Sequence, residues 1–211
     1  IHAGLFKLDG GAMFGVVPKS IWSKLVPPDE RNLCTWAMRL LLIDTGNRKV
    51  LVDTGMGSKQ SEKFFGYYEP HGPSLEDSLR SAGYGLEDIT DVFLTHLHFD
   101  HVGGAISKSQ DGETLLPTFP NALYWSNGAH WDAALSPNAR ERASFLEENI
   151  LPIQQSGRLR LLDGPGQWIP GIDVEFVYGH TEAQMLPVVR MDNGEKLYYM
   201  ADLCPSVHHL K

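Results

Sequence analysis

The chain has 211 residues, with 18 Lys plus Arg against 26 Asp plus Glu, a formal net charge of −8. A phosphate backbone needs a basic face to neutralise it, so this acidic balance excludes nucleic acid as a partner. No apolar run approaches the roughly 20 residues that cross a bilayer, which excludes a membrane-embedded chain, and 42% hydrophobic with 21% charged residues is a globular composition. The length suits one domain, residues 1–211, with a continuous core. Cys34 and Cys204 lie far apart in no paired motif and are read as unpaired thiols. No charged-then-apolar leader follows Ile1, so the expectation is a soluble, cytoplasmic protein.

Residues 3–8 and 12–18 flank Asp9-Gly10-Gly11 and read as a hairpin. Residues 34–44 and 49–53 form a longer strand pair across the turn Thr45-Gly46-Asn47-Arg48. Ser74 opens a helix over 74–82, with Asp77 as capping acid and Gly83 as its stop. Residues 91–95 and 122–126 are short strands. Pro137 begins a helix over 137–150, with Ala143, Leu146 and Ile150 at helical spacing. Strands follow at 159–162, 172–178, 186–191 and 196–201, the last two joined by Asp192-Asn193-Gly194. Residues 107–114 and 163–171 are loops. Strands outnumber helices, and the helices are interspersed, which favours two sheets between helical layers over a doubly wound parallel sheet.

One stretch carries chemistry: Thr95-His96-Leu97-His98-Phe99-Asp100-His101 directly follows the apolar Val92, Phe93 and Leu94. In an extended segment residues two apart point the same way, so His96, His98 and Asp100 converge. His101 then faces elsewhere and can serve a second ion, a pattern that suits two metals about 3.5–4 Å apart. Gly179-His180-Thr181 and Ala201-Asp202 each follow an apolar strand. Three strand ends delivering ligand-type side chains imply one shared rim. The lone histidines His2, His71 and His130 are read as surface or hydrogen-bonded residues rather than ligands.

The ordered set His96-x-His98-x-Asp100-His101, His180 within Gly-His-Thr, and Asp202 resembles the metallo-β-lactamase superfamily. Asp53-Thr54-Gly55 is similar to that superfamily's first motif, whose aspartate braces the metal loops. The resemblance implies an α+β (αββα) fold, two mixed β-sheets sandwiched between helical layers, with the site at one edge. It implies a first metal on His96, His98 and His180, a second on Asp100 and His101, and Asp202 bridging both. Zinc is the first expectation for such donors, with iron or manganese also fitting. Members normally carry a further histidine beyond the bridging aspartate. Lys211 comes nine residues after Asp202, so the expectation is a chain lacking its C-terminal segment; His208 and His209 come too soon to be comfortable substitutes, though either could approach the second metal.

Within the superfamily, antibiotic-degrading enzymes lack either the carboxylate at Asp202 or the ligand at His101, and flavodiiron proteins place a glutamate where His98 stands. HLHFDH followed by two glycines, with Leu8-Asp9-Gly10-Gly11, is similar to the quorum-quenching branch that opens N-acyl homoserine lactones. Two departures stand out: Glu182, Ala183 and Gln184 follow Thr181 where that branch reads Pro-Gly-His, and Pro205 lies near its usual tyrosine. Neither touches a ligand. The resemblance therefore implies a dinuclear metal-dependent hydrolase of lactone or related ester bonds in a small-molecule substrate. A metal-bridging hydroxide would be the nucleophile and Asp100 the proton shuttle. Thioester or phosphoester hydrolysis on the same metals is the alternative, or else a mononuclear iron oxygenase or a degenerate metal-binding module. Met13, Phe14, Trp22, Phe64, Phe65 and Tyr67 are expected to flank the metal mouth as an acyl-binding groove.

Overall fold

In the computed structural model, which describes residues 1–210, β1 (His2–Asp9) pairs antiparallel with β2 (Leu33–Arg39). Two short helices, α1 (Gly10–Phe14) and α2 (Lys19–Trp22), lie between them in sequence. β3 (Leu41–Asp44), β4 (Lys49–Val52), α3 (Glu62–Tyr68), α4 (Leu75–Ser81), β5 (Asp91–Phe93) and α5 (Phe99–Val102) follow. Next come β6 (Ile106–Lys108), β7 (Leu115–Pro117), β8 (Leu123–Asn127), α6 (Gly128–Leu135), α7 (Glu147–Gln155) and β9 (Leu159–Leu162). β10 (Gly166–Ile169), β11 (Ile172–Val177), β12 (Gln184–Arg190) and β13 (Lys196–Tyr198) complete the strands.

The strands form a mixed five-stranded sheet, β3-β4-β5-β8-β9, and an antiparallel four-stranded sheet, β10-β11-β12-β13. In the first, β4, β5, β8 and β9 run parallel, which requires the helical crossovers the chain places between them. The second is built from successive hairpins and is wholly antiparallel. Alternation within β4 explains why the sheets face each other. Val50 and Val52 point to one side and Leu51 to the other, and all three are fully buried. On the first side Val50, Val52 and Phe93 pack against Ile169, Ile172, Val174 and Met185 of the second sheet. On the other, Leu51, Val92 and Tyr124 pack against Leu79, Trp131, Ile150 and Ile153 from α4, α6 and α7. A third cluster joins β1 and β2 to α1 and α2 through Phe6, Phe14, Trp22, Trp36 and Met38. The architecture is the expected α+β class. No helix among the described residues is long and apolar enough to cross a membrane.

Several elements differ from the sequence expectation. Residues 12–18 form no strand: Asp9 accepts a hydrogen bond from Gly11 N at 2.6 Å and caps α1, and β1 takes its partner from β2 instead. Residues 34–44 break at Leu40 into β2 and β3, which belong to different sheets. The helix expected at 137–150 starts only at Glu147 and runs to Gln155, while α6 and β10 occupy stretches expected to be loop or unassigned. Elsewhere caps decided correctly. Ser74 Oγ accepts from Asp77 N at 3.0 Å to open α4, and Gly83 sits at φ +89° beyond its end.

Candidate metal centre

The site lies where strands from both sheets end. Asp53 follows β4 directly, at φ +60°, fully buried. Its Oδ1 accepts Thr95 N at 2.8 Å, both its oxygens lie within 3.0 Å of Thr95 Oγ1, and Oδ2 accepts His101 Nδ1 at 2.9 Å. The last bond fixes the His101 tautomer and leaves its Nε2 free to point into the site. Thr54 N and Oγ1 both donate to His101 O, at 2.7 and 2.9 Å, and Gly104 N donates to Gly55 O at 2.9 Å. The Asp53-Thr54-Gly55 turn therefore grips α5 along its length. Lys59 Nζ adds a bond to Gly103 O at the far end of α5.

The ligand-type atoms converge. His98 Nδ1 lies 3.0 Å from His180 Nε2, and Asp202 reaches His101 Nε2 at 3.2 Å, His180 Nε2 at 3.3 Å and His96 Nε2 at 4.0 Å. Asp100 Oδ2 lies 3.7 Å from His101 Nε2. Two groups have all their ligand atoms within 4.8 Å of one another: His96, His98 and His180, and His96, His101 and Asp202. His180 follows β11, reached through Gly179 at φ +124°, and Asp202 sits in the short turn Ala201–Leu203 after β13. All six expected residues are thus brought together. The geometry differs in one respect from the extended pattern: alternation stops at His98, which caps α5. Asp100 and His101 lie on that helical turn, and the His101 ring packs 4.0 Å from that of His96 rather than facing away.

The electrostatics favour a cation. Burial drives His96 far below the usual imidazole value and His98 to about 2, and the neighbouring imidazoles push the same way. Burial lowers His180 too, against the opposing charge of Asp202. Burial disfavours the charged form of all three imidazoles, and their ring nitrogens lie within 4.8 Å of one another, a donor set of the kind a metal takes. His96 Nε2 is buried with no hydrogen-bond partner, and such an orphaned nitrogen is costly unless something is bound there. The side chains present therefore fit a divalent ion. Burial would also lower His101, but Asp202, Asp100 and Asp53 outweigh it and raise the group well above its usual range. Burial raises Asp100 to about 6, with His101 opposing and Asp202 adding to the rise. Burial would raise Asp202 as well, yet His101, His180 and His98 hold it well below the usual carboxylate range.

A cavity of ≈ 570 Å³ opens onto Asp100, His101 and Asp202, with Phe6, Met13, Trp36 and Met38 on its apolar wall. Of the six residues expected to line a groove, only Met13 does. Phe14 and Trp22 stack on each other at 5.8 Å inside the third core cluster, Phe64 packs on Phe65 and Tyr68, and Tyr67 is exposed outside the cavity. The actual wall comes from β1 and β2. The buried alternation of Cys34, Trp36 and Met38 was the available signal, obscured by treating residues 34–44 as one strand. The lone histidines divide. His2 Nδ1 accepts from Gly4 N at 3.0 Å, and His71 bridges to Leu5 through its backbone. His130 is fully buried with both ring nitrogens bonded, a role a single histidine in a sequence does not reveal.

Residues 40–198 match the model of the metallo-beta-lactamase superfamily. An N-acyl homoserine lactonase of Bacillus cereus is 30% identical over 173 residues, 77% of this chain and 60% of that protein. The lactonase AiiA of Bacillus thuringiensis subsp. kurstaki is 28% identical over the same shares. The chain thus spans about 60% of the length of the curated relatives it matches. Among solved structures, a probable metal-dependent hydrolase from Staphylococcus aureus superposes with TM-score 0.85 at 30% identity, covering 95% of this chain and 70% of that one. AidC, a dizinc quorum-quenching lactonase, shares the fold at TM-score 0.73 and 24% identity, covering 96% of this chain and 70% of its own. With the matched region running from the start of β3 to the end of β13, and the ligand-type residues after β5 and β11 inside it, the chain belongs to the metallo-β-lactamase superfamily.

Proposed function

We propose that the chain is a metal-dependent hydrolase of lactone or related ester bonds, of the N-acyl homoserine lactone type. One observation carries it: His96 belongs to two three-residue ligand groups, with His98 and His180 and with His101 and Asp202, and His101 and Asp202 line a cavity that also has an apolar wall. The first group, His96, His98 and His180, would hold one divalent ion. Asp100, His101 and Asp202 would hold a second, with Asp202 between the two. Zinc suits these nitrogen and oxygen donors, and iron or manganese would also be accepted. Such ions, when bound, supply ionised water near neutral pH and polarise a carbonyl oxygen. The names of the relatives, lactonases at 28–30% identity, support this reaction class.

The chain's own residues would do the rest. Phe6, Met13, Trp36 and Met38 offer an apolar surface for an acyl chain and keep bulk water from one side of the cavity. Asp53 holds His101 through Nδ1 and Thr95 through N and Oγ1, so the loop keeps its shape as substrate enters. Asp100 faces the cavity beside His101, where its Oδ2 would take a proton from the attacking water and return it to the departing alkoxide. No serine or cysteine nucleophile is required. Cys34 is buried in the third core cluster, and Cys204 is a free thiol on the cavity rim.

The test combines metal quantification with a substrate panel of N-hexanoyl homoserine lactone, an aryl ester, a thioester and a phosphodiester. Two equivalents of metal and preferential lactone opening are expected. Faster turnover of the thioester or phosphodiester would reassign the bond, and one equivalent of iron with no hydrolysis would reject hydrolysis altogether.

A further inference from the structure

His130 lies in the first turn of α6, fully buried, on an element that supplies no ligand. Its backbone N donates to Asn127 Oδ1 at 2.9 Å, the cap that starts the helix. The ring Nε2 lies 2.8 Å from Leu97 N, and Nδ1 lies 2.6 Å from Glu182 O. An amide N–H can only donate and a carbonyl can only accept, so the ring is neutral with its proton on Nδ1. Leu97 stands between His96 and His98, and Glu182 stands two residues after His180. One imidazole therefore bonds the backbone of both loops that bear the first ligand group. Asn127 Nδ2 reinforces the second loop by donating to Ala183 O at 2.8 Å.

We propose that His130 is a positioning residue for the first metal: a rigid two-ended spacer that sets the distance between the loop bearing His96 and His98 and the loop bearing His180. This rests on the metal centre proposed above. A planar ring with one donor and one acceptor in fixed relation holds two backbones at a defined separation, where a flexible side chain would let them drift. Other ties between the loops exist, such as Met185 N to Thr95 O at 2.8 Å, but that bond lies before His96 and leaves Leu97 free. Without His130 the Leu97 N–H would be buried without a partner, and the peptide joining two ligands would be free to turn.

Outer partners of metal ligands typically change affinity about 10–100-fold when removed. His130→Ala is expected to weaken zinc binding at the His96, His98 and His180 group by about that factor. The group with Asp100, His101 and Asp202 should lose much less, since neither tether holds these three residues and only His96, within reach of both groups, adjoins Leu97. The measurement is chelator competition and cobalt absorption on metal-stripped protein, with the folded fraction followed by circular dichroism. His130→Gln, whose amide offers one acceptor and one donor on a flexible stem, should recover part of the loss. It also provides the comparison if the alanine variant does not fold, because it must still weaken the first group selectively. Unchanged affinity at the first group, or equal weakening at both, overturns the positioning role. Wild-type protein that takes up no metal overturns the metal centre itself, and the role of His130 with it.

Discussion

Lys59 is 6% exposed, with its ammonium on Gly103 O at the end of the ligand-bearing α5. Burial lowers its pKa from the usual 10.5 to about 8, against the weaker opposing pull of Glu148. Between about pH 8 and 10.5 the unfolded chain therefore binds more protons than the folded one, and stability rises with pH across that window. The cost of the buried charge is fully present below pH 8 and is gone above 10.5, a swing on the order of 3 kcal/mol. Urea unfolding of wild type and Lys59→Met at pH 7.5 and pH 10.5 should show the wild type gaining about that much relative to the variant. Parallel pH profiles would mean that the ammonium is solvated. Neither Lys59 nor His130 was legible as a site residue in the sequence. Lys59 acts through Gly103 O, and His130 through Leu97 N and Glu182 O, all more than thirty positions away, and a lone polar residue carries no spacing. The six ligand-type residues were legible because chemistry forces them into a short run or onto strand ends.

At the scale of elements, the approach of α5 to the turn after β4 allows no side chain between them. A Cβ on Gly103 would lie 2.1 Å from Met56 O, and one on Gly104 2.2 Å from Thr54 O. Both obstacles are backbone, so the two segments would have to separate, and the bonds from Thr54 to His101 would lengthen. Gly104→Ala should therefore cost at least the 1–3 kcal/mol usual for overpacking, roughly, and weaken metal binding with it. Gly66→Ala, in the middle of α3 with nothing near its Cβ, should instead gain up to about 1 kcal/mol from helix propensity. Thermal unfolding of the two variants checks the contrast, and equal small effects would mean that the α5 contact is loose. The same elements explain what the sequence concealed. Turns with explicit chemistry, at Thr45-Gly46-Asn47 and Asp192-Asn193-Gly194, and the Ser74 cap all stood where expected. The apolar runs at 91–95, 122–126, 159–162 and 172–178 formed strands as well, but residues 12–18 did not, because such a run suits helix or strand until its partner is known. There the Asp9 cap and the packing of Phe14 on Trp22 decided for helix. The helix expected from 137 starts only at Glu147, so Ala143 and Leu146 of the expected apolar face lie outside it: Leu146 caps α7 without a side-chain bond, and no polar signal marked the boundary.

For the molecule as a whole, the candidate centre lies between two sheets that meet mainly through apolar contacts, with a few hydrogen bonds such as Met185 N to Thr95 O at 2.8 Å beside them. His96, His98, Asp100 and His101 follow β5 of the five-stranded sheet, while His180 and Asp202 follow β11 and β13 of the four-stranded one. The apolar part of the interface is Val50, Val52 and Phe93 against Ile172, Val174 and Met185. This part is non-directional and tolerates small shifts of one sheet on the other. A cation bound between His98 and His180 would add a directional link, and because binding requires both sheets in place its free energy would appear as folding stability. Free zinc at about 100 times Kd contributes about 2.7 kcal/mol. At about 2–4 °C per kcal/mol for a chain of this size, stripping the metal should lower Tm by roughly 5–10 °C. His180→Ala should remove most of that zinc-dependent increment while changing the Tm of the metal-free protein little, since His180 is partly exposed and its partners are themselves ligands. Differential scanning calorimetry with and without zinc on both proteins is the measurement. A zinc-dependent increment that survives intact in His180→Ala would place the ion entirely on the β5 loop and leave the two sheets uncoupled.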